Sequence, residues 1–213
     1  GGEIEGANPS ADVMFFYHIR DEVDEDAVLR IEISDVSGNV VRTYSSEESD
    51  HDRCKLANMD PRRPFAIEYP PTEQGLNSWG WNMGSADIAC IENAMQNNGY
   101  DGPSVAPGQY TASITIGDAS DSVSFTIAKD PRSFANDAQV AEWATTLQQV
   151  KGTINEVLQT LDKARKARAG VRELLAAHND AELQRLGKAL VDGVDAWEPR
   201  INQLKHETYE DED

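Results

Sequence analysis

Residues 110–164 read YTASITIGDASDSVSFTIAKDPRSFANDAQVAEWATTLQQVKGTINEVLQTLDKA, and the period of their apolar positions changes once. Tyr110, Ala112, Ile114 and Ile116 alternate with Thr111, Ser113 and Thr115. After a turn at Gly117-Asp118, Val123, Phe125 and Ile127 alternate with Ser122, Ser124 and Thr126. A period of two puts every second side chain on one face, so this stretch predicts a β-hairpin with one buried face. Past residue 132 the spacing becomes helical. Asn136 and Gln139 fit an N-cap and its N3 partner. Val140, Trp143, Leu147, Val150, Ile154, Val157, Leu161 and Ala164 then recur at steps of three and four, the a/d spacing of a coiled-coil seam. The series slips at Arg168 and resumes at Val171 and Leu175. One helix over 137–177 is predicted, roughly 60 Å long at about 1.5 Å per residue.

Upstream, the period of two persists. Leu29, Ile31 and Ile33 face one way and Arg30 and Glu32 the other, and the turn Ser37-Gly38-Asn39 leads into VVRTYS, so 27–45 reads as a second hairpin. ADVMFFYHI (11–19) is rich in strand formers, and GLNSWGWNM (75–83) sets Trp79, Trp81 and Met83 on one face. Six or seven short strands with one-sided burial describe an antiparallel β-sandwich. Downstream, His178-Asn179-Asp180 with Glu182 offers a fresh N-cap and capping box, followed by a stripe of Leu183, Leu186, Leu190, Val194, Trp197, Ile201 and Leu204. The economical fold is an antiparallel αα-hairpin with coiled-coil packing, Trp143 and Trp197 serving as knobs in its seam. Pro199 should kink or split the second helix. The first helix is the longer, so part of its stripe is expected to stay uncovered. The division expected is a disordered N-terminus (1–10), a sandwich (11–132), a helical hairpin (133–206) and a fraying acidic tail (207–213).

Two long segments interrupt the sandwich pattern. Residues 46–73 are polar and proline-bearing; 84–106 carry Asn97-Asn98-Gly99 and Gly102-Pro103, with a short helix expected from Ser85 to Met95 under an N-cap serine. The two cysteines, Cys54 and Cys90, fall one in each. They form a disulfide or remain two thiols; a bridge would pin both loops and add roughly 3–4 kcal/mol by restricting the unfolded chain. Neither lies in a CxxC or beside a histidine cluster, so metal binding is the weakest reading.

Composition narrows the function classes. The 213 residues carry 38 acids and 19 bases, a net charge of -19, which repels phosphate and argues against nucleic acid and anionic membranes. Residues 1–132 hold 23 acids and 9 bases against 15 and 10 beyond, so the acidity belongs mainly to the β part. No apolar run approaches the roughly 18 residues that cross a bilayer. Gly1-Gly2, without an initiator Met or an apolar leader, reads as a scar or an excision boundary, and the chain as a fragment.

Marks of an active site are sparse. The acidic runs Asp21-Glu22, Asp24-Glu25-Asp26 and Glu47-Glu48, Asp50, Asp52 lack the spacing of an EF-hand and read as solvated turns. Acids are so abundant that a carboxylate pair at glycosidase spacing carries no information. His18, His51, His178 and His206 are scattered; only His51 is crowded, by Asp50 and Asp52. No GxSxG, P-loop or GxGxxG opens a helix. Trp79 and Trp81 read as sandwich core, with a sugar-stacking platform as the alternative. No catalytic residue, cofactor or metal ligand is expected.

Three motifs resemble a known arrangement. Gly75, Leu76, Asn77, Trp79 and Trp81 form G-L-N-x-W-x-W; Ala106, Pro107, Gly108, Tyr110 and Thr111 form A-P-G-x-Y-T; Lys129-Asp130-Pro131-Arg132 forms a K-D-P-R junction. Together, across most of 12–205, they resemble the C-terminal region of bacterial sortilin-like proteins with BNR-repeat β-propellers, often named as glycosyl hydrolases. Residues 84–101 depart from that pattern. The resemblance implies an Ig-like sandwich and helical hairpin following a propeller that this chain does not include, with any hydrolase residues on the propeller. It implies a non-catalytic accessory region of a secreted or periplasmic parent. The sandwich is expected to dock on that propeller, and the uncovered stripe of the long helix to meet the sandwich, the missing part of the parent or a second copy, the last being the route to self-association. A carbohydrate-binding module of the same parent, using Trp79, Trp81, Tyr100 or Tyr110, is the alternative. The extracytoplasmic setting also favours the Cys54–Cys90 disulfide.

Overall fold

The computed structural model describes residues 12–24, 26–60, 62, 64–94 and 99–202. The expected disordered residues 1–10, the acidic tail, Leu204, His206 and the Asn97-Asn98 turn lie outside them. Among the described residues there are six strands: β1 (Val13–Ile19), β2 (Leu29–Asp35), β3 (Val40–Ser45), β4 (Gly75–Trp81), β5 (Gly108–Ile116) and β6 (Ala119–Ile127). They form two antiparallel sheets, β1-β4 and β3-β2-β5-β6. In the larger sheet Ile33 lies beside Ala112 and Ala112 beside Val123; in the smaller, Phe15 lies beside Trp79.

The apolar faces of the two sheets meet. Ile33, Trp81, Tyr110 and Ala112 form one buried cluster, closed by Phe15, Val13 and Phe125. Ile19, Leu29 and Ile31 form another, closed by Trp79, Tyr44 and Ile114. Ring edges lock the layers: Phe15 meets Phe125 at 5.6 Å, Trp79 meets Tyr44 at 5.2 Å and Trp81 meets Tyr110 at 5.7 Å between centroids. Such pairs contribute about 0.5–1.5 kcal/mol each beyond area burial.

Turn chemistry closes the hairpins. Asp35 Oδ1 accepts from the backbone N–H groups of Ser37 and Asn39, and Gly38 takes φ +80°, a left-handed conformation that a side chain would strain. The Asn39 amide, which also reaches Asp35 Oδ2 at 2.9 Å, holds the Asp35 carboxyl below its ordinary value.

The helices are α1 (Asp50–Ala57), α2 (Asp137–Ala177) and α3 (Ala181–Trp197). Asn136 and Gln139 cap α2 reciprocally, each backbone N–H donating to the other's side chain at 2.9 Å. At the junction, Arg132 Nη2 donates to Asp130 at 2.8 Å, and that guanidinium lowers the Asp130 carboxyl to about 2. Asp180 caps α3 by accepting from Leu183 N–H at 2.8 Å; Glu182 completes no capping box and pairs with Arg185 instead. Pro199 ends α3, and the chain tightens into a 3-10 turn over Glu198–Arg200.

Two expectations for the interrupting segments need correction. Residues 85–94 form no helix. Ser85 is not a cap: its backbone N–H donates to Pro103 O, while Ala86 N–H reaches Val41 O and Val105 N–H reaches Met83 O. Gly102 lets this crossing happen, since a Cβ there would sit 2.1 Å from Ala86 O. The helix lies in the other segment. Ser49 and Asp52 form a capping box for α1, whose side chains bury nothing fully and so show no apolar period.

The chain forms two compact units, interleaved along the sequence where one boundary near 132 was expected. The first comprises residues to 48, 68–86 and 102–144; the second comprises 49–67, 87–101 and 145 onward. α1 and the 87–101 loop thus group with the helices.

Candidate interaction surface

The second unit is assembled around a covalent clasp. Cys54 on α1 and Cys90 on the loop are joined, 36 residues apart in sequence. Polar contacts repeat the connection. Asn58 Nδ2 donates to Ile91 O at 2.7 Å and to Tyr100 Oη at 2.8 Å, while its Oδ1 accepts from Asn93 N–H at 2.9 Å. His51 Nε2 donates to Ile88 O at 2.8 Å. Lys55 Nζ reaches Asp52 at 3.2 Å and Asp87 at 3.1 Å. Burial pushes the Lys55 ammonium down, but those two carboxylates outweigh it and hold the ammonium above its ordinary value. Burial pushes the Asp52 carboxyl up, but Ser49 and Lys55 hold it below.

The loop then meets α2 through side chains that satisfy its backbone. Ala89 N–H donates to Asn155 Oδ1 at 2.7 Å. Arg165 donates to Glu92 O and, at 3.2 Å, to Asn93 O. The same guanidinium bonds Glu198 at 2.6 Å, and Arg168 bonds Glu198 at 2.7 Å and Asp195 at 2.6 Å. Arg172 adds Asp195 at 2.8 Å. Glu198 is 1% exposed, so two arginines compensate one buried charge that would otherwise be costly. This explains the slip at Arg168: an ionic residue occupies a seam position because its partners face it.

These pairs also set the rotation of α3. Its inward line runs through Leu183, Gly187, Val191, Val194 and Glu198, so Leu183 and Val194 of the expected stripe lie on it while Ile201 is exposed. Gly187 is buried, and a Cβ there would lie 2.6 Å from Leu175 and 3.1 Å from Val171. Leu186 and Leu190, expected in the seam, are exposed. Trp197 is half-buried, as a seam residue would be. Trp143 is not in the seam: α3 reaches back only to the level of Arg165, some 22 residues, about 33 Å, short of it.

Part of the α2 stripe stays uncovered, although Val140 and Leu147 on it are half-buried. Leu158 and Leu161 are buried, whereas Val150, Ile154 and Val157 are 36–50% exposed and Trp143, on the same spacing, is 47% exposed. The adjoining g positions are Thr146, Thr153 and Thr160, so the stripe is bordered on that side by small neutral side chains.

The other candidates fall as follows. Trp81 is 0% exposed and donates its indole N–H to Gly84 O at 2.8 Å; Tyr100 and Tyr110 are buried. Trp79 is half-buried against Tyr44, its indole N–H enclosed with no partner among the described residues. The sugar-stacking alternative therefore has no open ring among these four. His18 and His178 are exposed. Asp21, Glu22, Asp24 and Asp26 are exposed, Glu25 lies outside the described residues, and Asp50 pairs with Arg53. Among the described residues no group of three His, Cys, Asp or Glu is placed to hold a metal, and no helix is long and apolar enough to cross a membrane.

Sequence reasoning missed Asn58, Asn155, Arg165 and Glu198. Long-range polar pairing leaves no local period; only the Arg168 slip hinted at it. The chain matches no family model, no curated protein and no solved structure.

Proposed function

We propose that this chain is a non-catalytic accessory and interaction region of a larger secreted or periplasmic β-propeller protein. Its Ig-like sandwich docks on the propeller, and its long helix mediates assembly. The carrying observation is the uncovered α2 stripe of Val150, Ile154 and Val157, since large apolar rows on a helix stay soluble by finding a partner. The aromatic rings taken up by the sandwich core support a scaffolding role over ligand binding. The disulfide supports an oxidising compartment.

The test places a photo-reactive side chain at Val150 or Val157 in the purified parent protein. Cross-links to the propeller or to α2 of a second copy are expected. Irradiation that yields no cross-linked product at either position, with circular dichroism unchanged, would remove the reading.

A further inference from the structure

We infer that β1 is a self-complementary edge through which two copies of this chain pair antiparallel, joining their small sheets into one of four strands. Among the described residues β1 pairs only with β4, so one of its edges has no strand beside it. Edges left open in monomers are guarded by lysine, proline or a bulge. VMFFYHI (13–19) contains no proline, no glycine and no formal charge, and its register with β4 runs unbroken from Val13 to Ile19.

The packing shows where the sheet stops short. β1 reaches β6 through Phe15 and Phe125, while β4 reaches β3 through Trp79 and Tyr44 and also touches Tyr110 and Phe125 through Trp81. The open edge of β1 is therefore on the β6 side. On the larger sheet, Ile33, Ala112 and Val123 form one row across the inner face. Ile33 is 0% exposed and Ala112 6%, yet Val123 is 55% exposed. An inward valine stands uncovered because two strands, about 4.8 Å apart, cannot roof four. A further strand beside β1 would cover it.

The strand's outward face selects the occupant. Asp12, Met14, Phe16, His18 and Arg20 share that face, with Phe16 69% exposed. Antiparallel pairing of two copies about Phe16 sets residue 12 opposite 20, 14 opposite 18 and 16 opposite 16. Each Asp12 then meets an Arg20, and the two Phe16 rings meet at the two-fold axis. Parallel in-register pairing would instead set Asp12 against Asp12. The charges at the strand ends thus specify one orientation and an isologous interface. This surface is separate from the α2 stripe and does not depend on it.

Sedimentation velocity of the full chain across a concentration series tests this. A dimer is expected. Phe16→Lys, outside the core, should return the monomer with an unchanged circular dichroism spectrum. Asp12→Arg or Arg20→Asp alone should weaken association about tenfold, and the double exchange should restore it. Ile154→Lys with Val157→Lys on α2 should leave the dimer intact. A chain that stays monomeric throughout, a dimer indifferent to Phe16→Lys, a double exchange that fails to restore it, or a dimer dissolved by the α2 pair would each overturn the proposal.

Discussion

The two compact units cohere by different physics. The sandwich unit is held by rings and aliphatic side chains: Ile33, Trp81, Tyr110 and Ala112 are buried together, and Phe15 and Phe125 close over them. Among the described residues the clasped unit buries few large apolar side chains, chiefly Leu158, Leu161, Ile88 and Tyr100. It relies on one disulfide, on Asn58 and Asn155 satisfying loop backbone, and on the Arg165, Arg168 and Glu198 cluster. Apolar cohesion is non-directional and survives changes of redox state and salt. Covalent and ionic cohesion does not, so the two units should fail under different conditions.

The sharpest way to break the comparison is to hollow the sandwich. Trp81→Ala should cost about 3–5 kcal/mol and unfold that unit first, with the Arg172–Asp195 hairpin contacts reporting little change by nuclear magnetic resonance. Reduction by a dithiol, or Cys54→Ser with Cys90→Ser, should cost the clasped unit about 3–4 kcal/mol. Differential scanning calorimetry should show a lower transition for that unit and an unmoved one for the sandwich; a single transition shifting as a whole would show the contrast to be false. Glu198→Gln leaves Arg165 and Arg168 facing a neutral amide and should cost about 2–3 kcal/mol. Adding Arg168→Met should recover part of it, measured by denaturant melts.

The smallest effect is on acid. The Asp52 carboxyl lies below its ordinary value in the fold, so its contribution is fully present above the unfolded value, about 3.9. It is lost as pH falls through the lower folded value. Asp52 is partly exposed, so the loss should stay under about 1 kcal/mol. Asp52→Asn should flatten the clasped unit's stability between pH 5 and pH 2 by about that amount. Lys55, held above its ordinary value by Asp87 and Asp52, stays charged throughout this acid window and leaves it undisturbed.

The same contrast explains what could be read in advance. Alternation marked the strands of the two hairpins and of residues 75–83, composition marked 11–19, and the step of three and four gave α2 over 137–177, because burial on one face imposes a local period. α1 escaped because it buries nothing fully; its only local signature is the Ser49–Asp52 box. The rotation of α3 was legible only in part: Leu183, Val194 and Trp197 of the expected stripe are half-buried, but its fully buried positions are Gly187 and, just past its end, Glu198, which no apolar period marks. The grouping of the 87–101 loop with the helices rests on Asn155 and Arg165, more than 60 residues away from their partners. No window of sequence records such pairing. Among site candidates, the placement of Trp81 followed from alternation, whereas Trp143 was assigned to a seam that α3 is too short to reach.

Hydrogen exchange read by mass spectrometry, with oxidised and reduced protein side by side, tests the division of cohesion most directly. On reduction, amides of α1, of residues 87–94 and of α2 around Leu158–Leu161 should lose protection, while those of β2 and β5 keep theirs. Equal loss in β2 and β5, or unchanged protection in α1 and 87–94, would contradict it.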